Sequence, residues 1–401
     1  MPRLSAGPPA GGTSAVNWLV AAAVVPSLVV SALVAFAVRR LAPRWGLVDQ
    51  PGNRKVHAVP VPSGGGLAIW AGVVVPLLIG QIALSVWDRS YYDRDVSAAV
   101  DTGGPQDWAA EVAAYVQPHL PGLVETSRSL WFFLAAATLL MLLGLVDDIR
   151  RLDWRLRLGV QFVVGAAIVF GRGWSLTLFV DAPLLTGVLS VLWIVGLVNS
   201  FNMLDNMDGL AGGVAAIAAS LLAVFLLLVP EGGSGQPQLF VGGFLFLLAG
   251  ALIGFLFHNA PPARLFMGDA GAYFIGACLG VTTILATFSG SGLPRHSILA
   301  PLCVLAVPLY DTISVICIRL ATGKSVFEGD TNHFSHRLVA LGLTKTQAVL
   351  TIYLTTAACG LGALVLPQVN LLGAIIVVLV IACLLSVIAI LETTARRKMR
   401  P

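Results

Sequence analysis

The sequence predicts an all-α polytopic membrane protein with about eleven transmembrane helices, and three observations carry that expectation. Of 401 residues, 57% are hydrophobic and 11% charged, and the mean hydropathy of +0.88 lies far above that of a soluble domain this long. The apolar residues fall in runs of about 20, the length that crosses a hydrocarbon core as a helix, and barrel-type strand alternation is not visible. Glycine is frequent, at 42 residues, which suits closely packed membrane helices and broken helix ends. The five cysteines (Cys278, Cys303, Cys317, Cys359 and Cys383) sit in apolar runs without any C-x-x-C or Cys/His grouping, so neither a disulfide framework nor a zinc site is expected. A net charge of +4 is modest, and no nucleic-acid partner is expected.

In chain order the spans are expected at 18–38, 64–86, 129–146, 156–172, 182–198, 209–229, 239–258, 270–290, 296–320, 347–366 and 370–391. The first follows a Pro/Gly-rich tail with a single Arg, is too long for a signal peptide and lacks a small-residue cleavage site, so it reads as a retained helix. With the N-terminus outside, the inner segments hold Arg39, Arg40, Arg44, Arg54, Lys55, Arg150, Arg151, Arg155, Arg157, Arg264, Arg319, Lys324, Arg337, Lys345, Arg396, Arg397, Lys398 and Arg400. The outer segments hold only Arg3, Arg89, Arg94, Arg128, Arg172 and Arg295, and this bias predicts an outside N-terminus and a cytoplasmic C-terminus.

The chain reads as a single integral membrane domain, 1–401, with one sizeable extracytoplasmic insertion at 87–128, acidic and with Trp and Tyr near its ends. No internal repeat is visible, so the inverted-repeat signature of many transporters is missing. The same parity puts the polar clusters of 39–63, 147–157, 199–209, 259–269 and 321–346 on the cytoplasmic face. Five clusters converging on one face describe an active site at the membrane surface better than a path through the membrane.

The stretch Asn199-Ser-Phe-Asn-Met-Leu-Asp-Asn-Met-Asp-Gly209 follows an apolar run, and its Asn199, Asn202, Asp205 and Asp208 recur every three residues. Neighbours in that series share a helix side, and a tighter last turn would align all four. No Lys, Arg or His lies between Asp181 and His258, so the compensating charge must come from elsewhere in the fold, a metal or a ligand. The D-N-M-D-G run is not a calcium loop, having no Glu at the twelfth position.

Lys55 and His57 precede the glycine run Gly64–Gly66, an arrangement able to hold phosphate through side-chain charge and backbone N–H groups; the plain alternative is a cationic anchor before a flexible helix start. Asp147 and Asp148 diverge by about 100° on a helix, so one carboxylate is expected to face substrate and the other to be held by a cation, unless both form a solvated helix end. A short Pro-rich loop delivers Asp269 to the start of the eighth span, where it can coordinate Mg²⁺, cap the helix, or both. His333, His336 and Arg337 follow; an H-x-x-H pair without a third ligand suits phosphate better than zinc. Asp311, inside the ninth span, needs a partner.

Taken together, R-K-x-H-x-x-P-x-P-x-G-G, the D-D pair, N-x-x-N-x-x-D-x-x-D-G-L-A, N-x-x-P-A-x-x-F-M-G-D-x-G and H-x-x-H-R-L, in this order over Asp49 to Leu338, resemble the polyprenyl-phosphate N-acetylhexosamine-1-phosphate transferase family, bacterial membrane enzymes that start cell-wall and lipopolysaccharide glycans and their dolichol-linked counterparts. The resemblance implies Mg²⁺ on Asp269 with Asn202 as second ligand, Mn²⁺ being able to substitute. It implies Asp147 or Asp148 at the lipid phosphate, Asp205 and Asp208 at the nucleotide sugar, Asn259 and Phe266 at the uridine, and His333, His336 and Arg337 at the diphosphate or sugar. The expected substrates are a UDP-N-acetylhexosamine, by default UDP-GlcNAc, and undecaprenyl phosphate, in the bacterial cytoplasmic membrane and with room for a homodimer. Three residues depart from the family pattern: Asn206 in place of Gly, Ala272 in place of Ser, and Ser335 within a usually denser His cluster. The competing class is a transporter or flippase for a phosphorylated lipid or nucleotide sugar, which should carry midplane polar residues in several spans; a degenerate, noncatalytic scaffold is disfavoured by the retained carboxylates.

Overall fold

The structure is a computed structural model that describes residues 12–50, 60–91, 120–176, 182–228, 238–286, 294–326 and 332–399. Its helices are α1 (Gly12–Leu41), α2 (Gly65–Tyr91), α3 (Leu120–Arg150), α4 (Trp154–Arg172), α5 (Pro183–Leu204), α6 (Leu210–Leu228), α7 (Leu239–Asn259), α8 (Gly268–Leu285), α9 (Ala300–Val304), α10 (Ala306–Ala321), α11 (Phe334–Ala340), α12 (Lys345–Val365) and α13 (Leu371–Met399). Among the described residues, 10 helices are long and apolar enough to cross a membrane, or 11 crossings if the pair Arg295–Val304 and Ala306–Ala321, bent by 67°, counts as one. The span expected at 296–320 is therefore broken rather than straight. Pro308 has no N–H for the carbonyl of Val304, and the chain turns at Leu305 (φ −96°, ψ 14°).

Helix occupies both ends of the expected insertion 87–128, since α2 continues to Tyr91 and α3 begins at Leu120; the rest of it, 92–119, lies outside the described residues. The all-helical expectation misses a short antiparallel pair, β1 (Val48–Asp49) with β2 (Val61–Pro62), in the register Val48 to Pro62 and Asp49 to Val61. Two residues per strand are too few to show an alternating pattern.

The helices pack around α8, against which α3, α5 and α2 lie; α1 packs on α2 and α7, and α6 on α7 and α12. Between the most and the least buried of these spans, burial runs opposite to hydropathy. The less apolar α8 is 83% buried along its span, whereas the strongly apolar α13 is 6% buried. The reason is size: α8 is rich in Gly, Ala and Thr, which let neighbouring backbones approach, while the bulky Leu, Ile and Val of α13 face outward, as lipid-facing residues do.

At Gly144 of α3 an added Cβ would stand 2.5 Å from the backbone N of Ala270 and the carbonyl of Asp269. Helix α3 therefore meets the first turn of α8 backbone to backbone. Gly144→Ala is expected to lower unfolding stability by about 1–3 kcal/mol through overpacking. Gly159→Ala, whose Cβ meets nothing within 4 Å, should not; thermal unfolding of both in detergent checks the contrast.

Candidate active site

One end of the bundle encloses a cavity of about 1220 Å³, which exceeds the roughly 300–1,000 Å³ of ordinary small-ligand pockets. Asp148, Asn199, Asn202, Asp205, Asp208, Asn259, Phe266, Asp269, His333 and His336 all line it, so ten residues singled out in the sequence share one space. Asp147 and Arg337 do not line it, and Lys55 and His57 lie outside the described residues.

The stripe is half helical. Asn199 and Asn202 sit on the last turns of α5, but the helix ends at Leu204, with Asp205 at φ −78° and ψ 59°, so the four residues do not continue along one helix side as a tighter last turn would have them. The chain instead turns through Gly209 at φ +75°, a left-handed conformation that favours glycine. The turn is tied from outside: Asn259 Oδ1 accepts from the Gly209 N–H at 3.0 Å, and Asp208 Oδ2 accepts from the Ala263 N–H at 2.9 Å. Asn259 also donates to the carbonyl of Leu265 at 2.9 Å, so it clamps two loops together while presenting an edge to the cavity. Asn199 donates to Gln161 at 2.7 Å, and Asn202 donates to Asp269 Oδ1 at 2.6 Å.

Burial pushes the Asp205 carboxyl up to about 7, and the charges of Asp148 and Asp208 add to it, against a stabilising backbone N–H from Gly268. With its folded value raised, Asp205 favours the fold most below its ordinary pKa of 3.8, and that contribution is lost as pH rises through about 7. In EDTA-treated protein, Asp205→Asn is accordingly expected to leave the melting temperature unchanged near pH 4, to raise it increasingly toward pH 7 and to level off beyond. A gain at low pH that vanishes at high pH would overturn the assignment.

The paired aspartates do divide their roles. Asp147 is 5% exposed, and its Oδ2 meets Arg157 at 2.6 Å while its Oδ1 accepts from the Leu152 N–H at 2.7 Å. Asp148 faces the cavity and accepts from the N–H groups of Asp269 at 2.9 Å and Ala270 at 3.3 Å. The start of α8 is thus capped by Asp148 from α3, whereas Asp269 lies inside the first turn and bonds to Asn202 instead, so the reading of Asp269 as a helix cap is corrected. Gly268, at φ +74°, has no side chain because Asp148 occupies the space a Cβ would need. Arg157 stands 3.6 Å from Asp269 Oδ2 as well, bridging the two carboxylates.

The glycine run is corrected too. The N–H groups of Gly65 and Gly66 donate to the carbonyls of Phe266 at 2.8 Å and Met267 at 2.9 Å, and the Phe266 N–H donates to Pro62 at 2.8 Å. These amides dock the start of α2 onto the segment before Asp269 and are not left to hold phosphate.

Asp311 finds its partners in the histidine segment: Oδ2 meets His333 Nδ1 at 2.9 Å and Oδ1 accepts from the Phe334 N–H at 2.6 Å. Ser335 Oγ donates to Asn206 Oδ1 at 2.5 Å, so two of the three residues that depart from the family pattern touch each other. Arg337, expected at the diphosphate or sugar, is turned away from the cavity; it is 5% exposed, pairs with Glu392 at 2.9 Å, and donates to Ser314 and to the carbonyl of Asn332. Glu392 belongs to α13 and escapes sequence reading because it stands just past the expected span 370–391 with no motif around it. Asp49, Arg157, Tyr273, Arg319 and Lys345 also line the cavity without having been singled out as site residues. Asp147 and Arg157 lie ten residues apart across a helix break, so no i, i+4 pattern reveals their pairing.

Residues 130–287 match the profile of Glycosyl transferase family 4. A Bacillus subtilis protein named "Probable undecaprenyl-phosphate N-acetylglucosaminyl 1-phosphate transferase" is 30% identical over 388 residues, covering 94% of each chain. A Mycolicibacterium smegmatis protein named decaprenyl-phosphate N-acetylglucosaminephosphotransferase is 30% identical over 345 residues, 81% of this chain and 77% of the relative. An Escherichia coli protein named undecaprenyl-phosphate alpha-N-acetylglucosaminyl 1-phosphate transferase is 26% identical over 341 residues, 81% and 78% of the two chains. With one such relative matched over nearly its whole length, and with ten of the residues singled out in the sequence lining one cavity of a multi-pass helical membrane protein, the chain belongs to glycosyl transferase family 4.

Proposed function

We propose that the chain transfers N-acetylhexosamine-1-phosphate, with GlcNAc as the sugar, from a UDP-sugar to a polyprenyl phosphate such as undecaprenyl phosphate, releasing UMP. The observation that carries this reading is the composition of the cavity. Five carboxylates (Asp49, Asp148, Asp205, Asp208 and Asp269) and the cations Arg157, Arg319 and Lys345 share its wall, and Trp154, Leu158, Gly196 and Ile316 give it an apolar side along three membrane helices. A diphosphate needs the first set and a prenyl chain the second. In the reaction an oxygen of the lipid phosphate bonds to the β-phosphorus, the bond from that phosphorus to the bridging oxygen breaks, and UMP leaves with the electron pair.

Such transfers need positioning and charge neutralisation more than covalent chemistry. The donor set suits Mg²⁺: Asp269 brings a carboxylate beside room for substrate phosphate, Asn202, whose amide nitrogen bonds that carboxylate, carries an amide oxygen as the second donor, and Mg²⁺ takes only one or two protein ligands besides water and phosphate. Among the described residues no three His, Cys, Asp or Glu form a closed metal cage, as a tighter metal would need. When bound, the ion neutralises the charge developing on the diphosphate. Asp148, facing the cavity, orients the lipid phosphate; with a second pKa near 6 for such a phosphate, a strong base is not required. Asp205, Asp208, Asn259 and Phe266 hold the nucleotide sugar, and His333 and His336 contact the diphosphate.

Purified protein supplied with UDP-GlcNAc, undecaprenyl phosphate and Mg²⁺ tests the proposal. Lipid-linked product with UMP supports it; movement of intact UDP-sugar across a vesicle favours the transporter, and neither result the scaffold. Product formation should stop in EDTA and return in part with Mn²⁺. For the bacterial cytoplasmic membrane, single cysteines at 92–119 should react with impermeant reagent from outside, and cysteines beside Arg150 or Ser335 only from the cytoplasm. Labelling of 92–119 and Arg150 from one face would overturn the proposed orientation.

A further inference from the structure

Around the cavity, the chain segment 333–335 is gripped residue by residue. Asp311 of α10 holds the His333 ring and the Phe334 N–H, and Asn206 of the α5–α6 turn holds the Ser335 hydroxyl. Asn206 is itself fixed, its side-chain N–H₂ donating to the carbonyl of Met203 at 2.9 Å and its backbone N–H to that of Leu204 at 2.8 Å. Asn206 lines the cavity between Asp205 and Asp208, whereas Ser335 is 1% exposed and lies between two histidines that reach the cavity. The Ser335–Asn206 bond is therefore a side-chain link between the carboxylate turn and the histidine segment.

We propose that Asn206 and Ser335 form a latch that sets the distance between the Asp205–Asp208 turn and the His333/His336 pair, and so positions both walls of the nucleotide-sugar pocket. Neither residue needs to touch a reacting atom; both are positioning residues. Asp311 grips the segment from the α10 side and Arg337 ties α11 to Glu392 and Ser314, so a broken latch leaves α11 attached while its first turn loses the side-chain bond to the Asp205–Asp208 turn. A misplacement of about 1 Å at a reacting group can cost on the order of 10²-fold in rate. Trp154 and Leu158, on the lipid side of the cavity, belong to α4, which carries neither residue of this bond, so lipid binding is expected to depend on it least. The latch rests on the transferase reading for its effect on turnover, but its effect on nucleotide binding can be measured without turnover.

The test is a double-substitution cycle in the full-length protein: parent, Asn206→Ala, Ser335→Ala and the pair together. Each single change is expected to raise KM for UDP-GlcNAc about tenfold while KM for undecaprenyl phosphate stays within twofold, and the double variant should be no worse than the poorer single, because the same bond is removed once. Ser335→Thr, which keeps the hydroxyl, should recover most of the loss. Calorimetric titration of UMP and of UDP-GlcNAc into the same proteins gives a second cycle. If the parent makes no lipid-linked product, the transferase reading fails, yet coupling between the two positions in UDP-GlcNAc affinity still supports the latch. Losses that multiply in the double variant, equal rises in both KM values, or singles indistinguishable from parent in both turnover and binding would overturn it.

Discussion

Asp269→Asn is expected to lower turnover on the order of 10³-fold or more while leaving the fold intact, which makes it the most severe conservative substitution in the cavity. A loss of this size corresponds to about 4 kcal/mol of transition-state stabilisation, within what a Lewis-acidic ion on a developing phosphate charge can supply. Two features keep the change from being a mere folding defect. The amides at the start of α8 are accepted by Asp148 rather than by Asp269, so the helix keeps its cap. The Asp269 side chain is 30% exposed, toward the cavity, and Asn is isosteric with it. The melting temperature should stay within a few degrees of parent, and the variant should lack the Mg²⁺-dependent rise in melting temperature expected of the parent. An Asp269→Asn protein with parental turnover at ordinary Mg²⁺ would falsify the metal assignment.

Much of this site is legible in the sequence because membrane spans are read from length and charge, and because Asn and Asp next to lipid are costly enough to demand a purpose. The D-D pair is a clear instance: side chains about 100° apart on a helix cannot share one direction, and the structure gives Asp147 to Arg157 and Asp148 to the cavity. What stays hidden is set by tertiary contact. The Gly65 and Gly66 amides look free until their acceptors on Phe266 and Met267, some 200 residues on, are known. Arg337 sits in a motif with two histidines, yet a glutamate on the last helix draws it away. Beyond Leu204 the stripe leaves the helix, and its turn is tied at Asp208 and Gly209 by Ala263 and Asn259, contacts that the spacing of the stripe does not reveal.

Asp147→Asn and Asp148→Ala are expected to fail in different ways, and the difference tests how the pair works. In the parent, Arg157 is held on Asp147 at 2.6 Å and kept 3.6 Å from Asp269. Removing the Asp147 charge is expected to release the guanidinium toward Asp269, where it would compete with the proposed Mg²⁺. The Mg²⁺ concentration for half-maximal rate should rise about tenfold, equivalent to about 1.4 kcal/mol, with the maximal rate largely recovered at saturating ion. Arg157→Gln in the Asp147→Asn background removes that competitor and should bring the Mg²⁺ requirement back down. Asp148→Ala instead strips the cap from α8, leaving the Asp269 and Ala270 N–H groups without their acceptor. It should cost about 1–2 kcal/mol of stability and on the order of 10²-fold in rate from the displaced Asp269, with no recovery at high Mg²⁺. Asp148→Asn keeps one acceptor oxygen, so it should restore most of the stability while the rate stays low for want of the carboxylate at the lipid phosphate. Mg²⁺ titrations of turnover, read beside thermal unfolding, separate these outcomes; a Mg²⁺-rescuable Asp148→Ala and an Asp147→Asn beyond rescue would reverse the roles assigned to the two carboxylates.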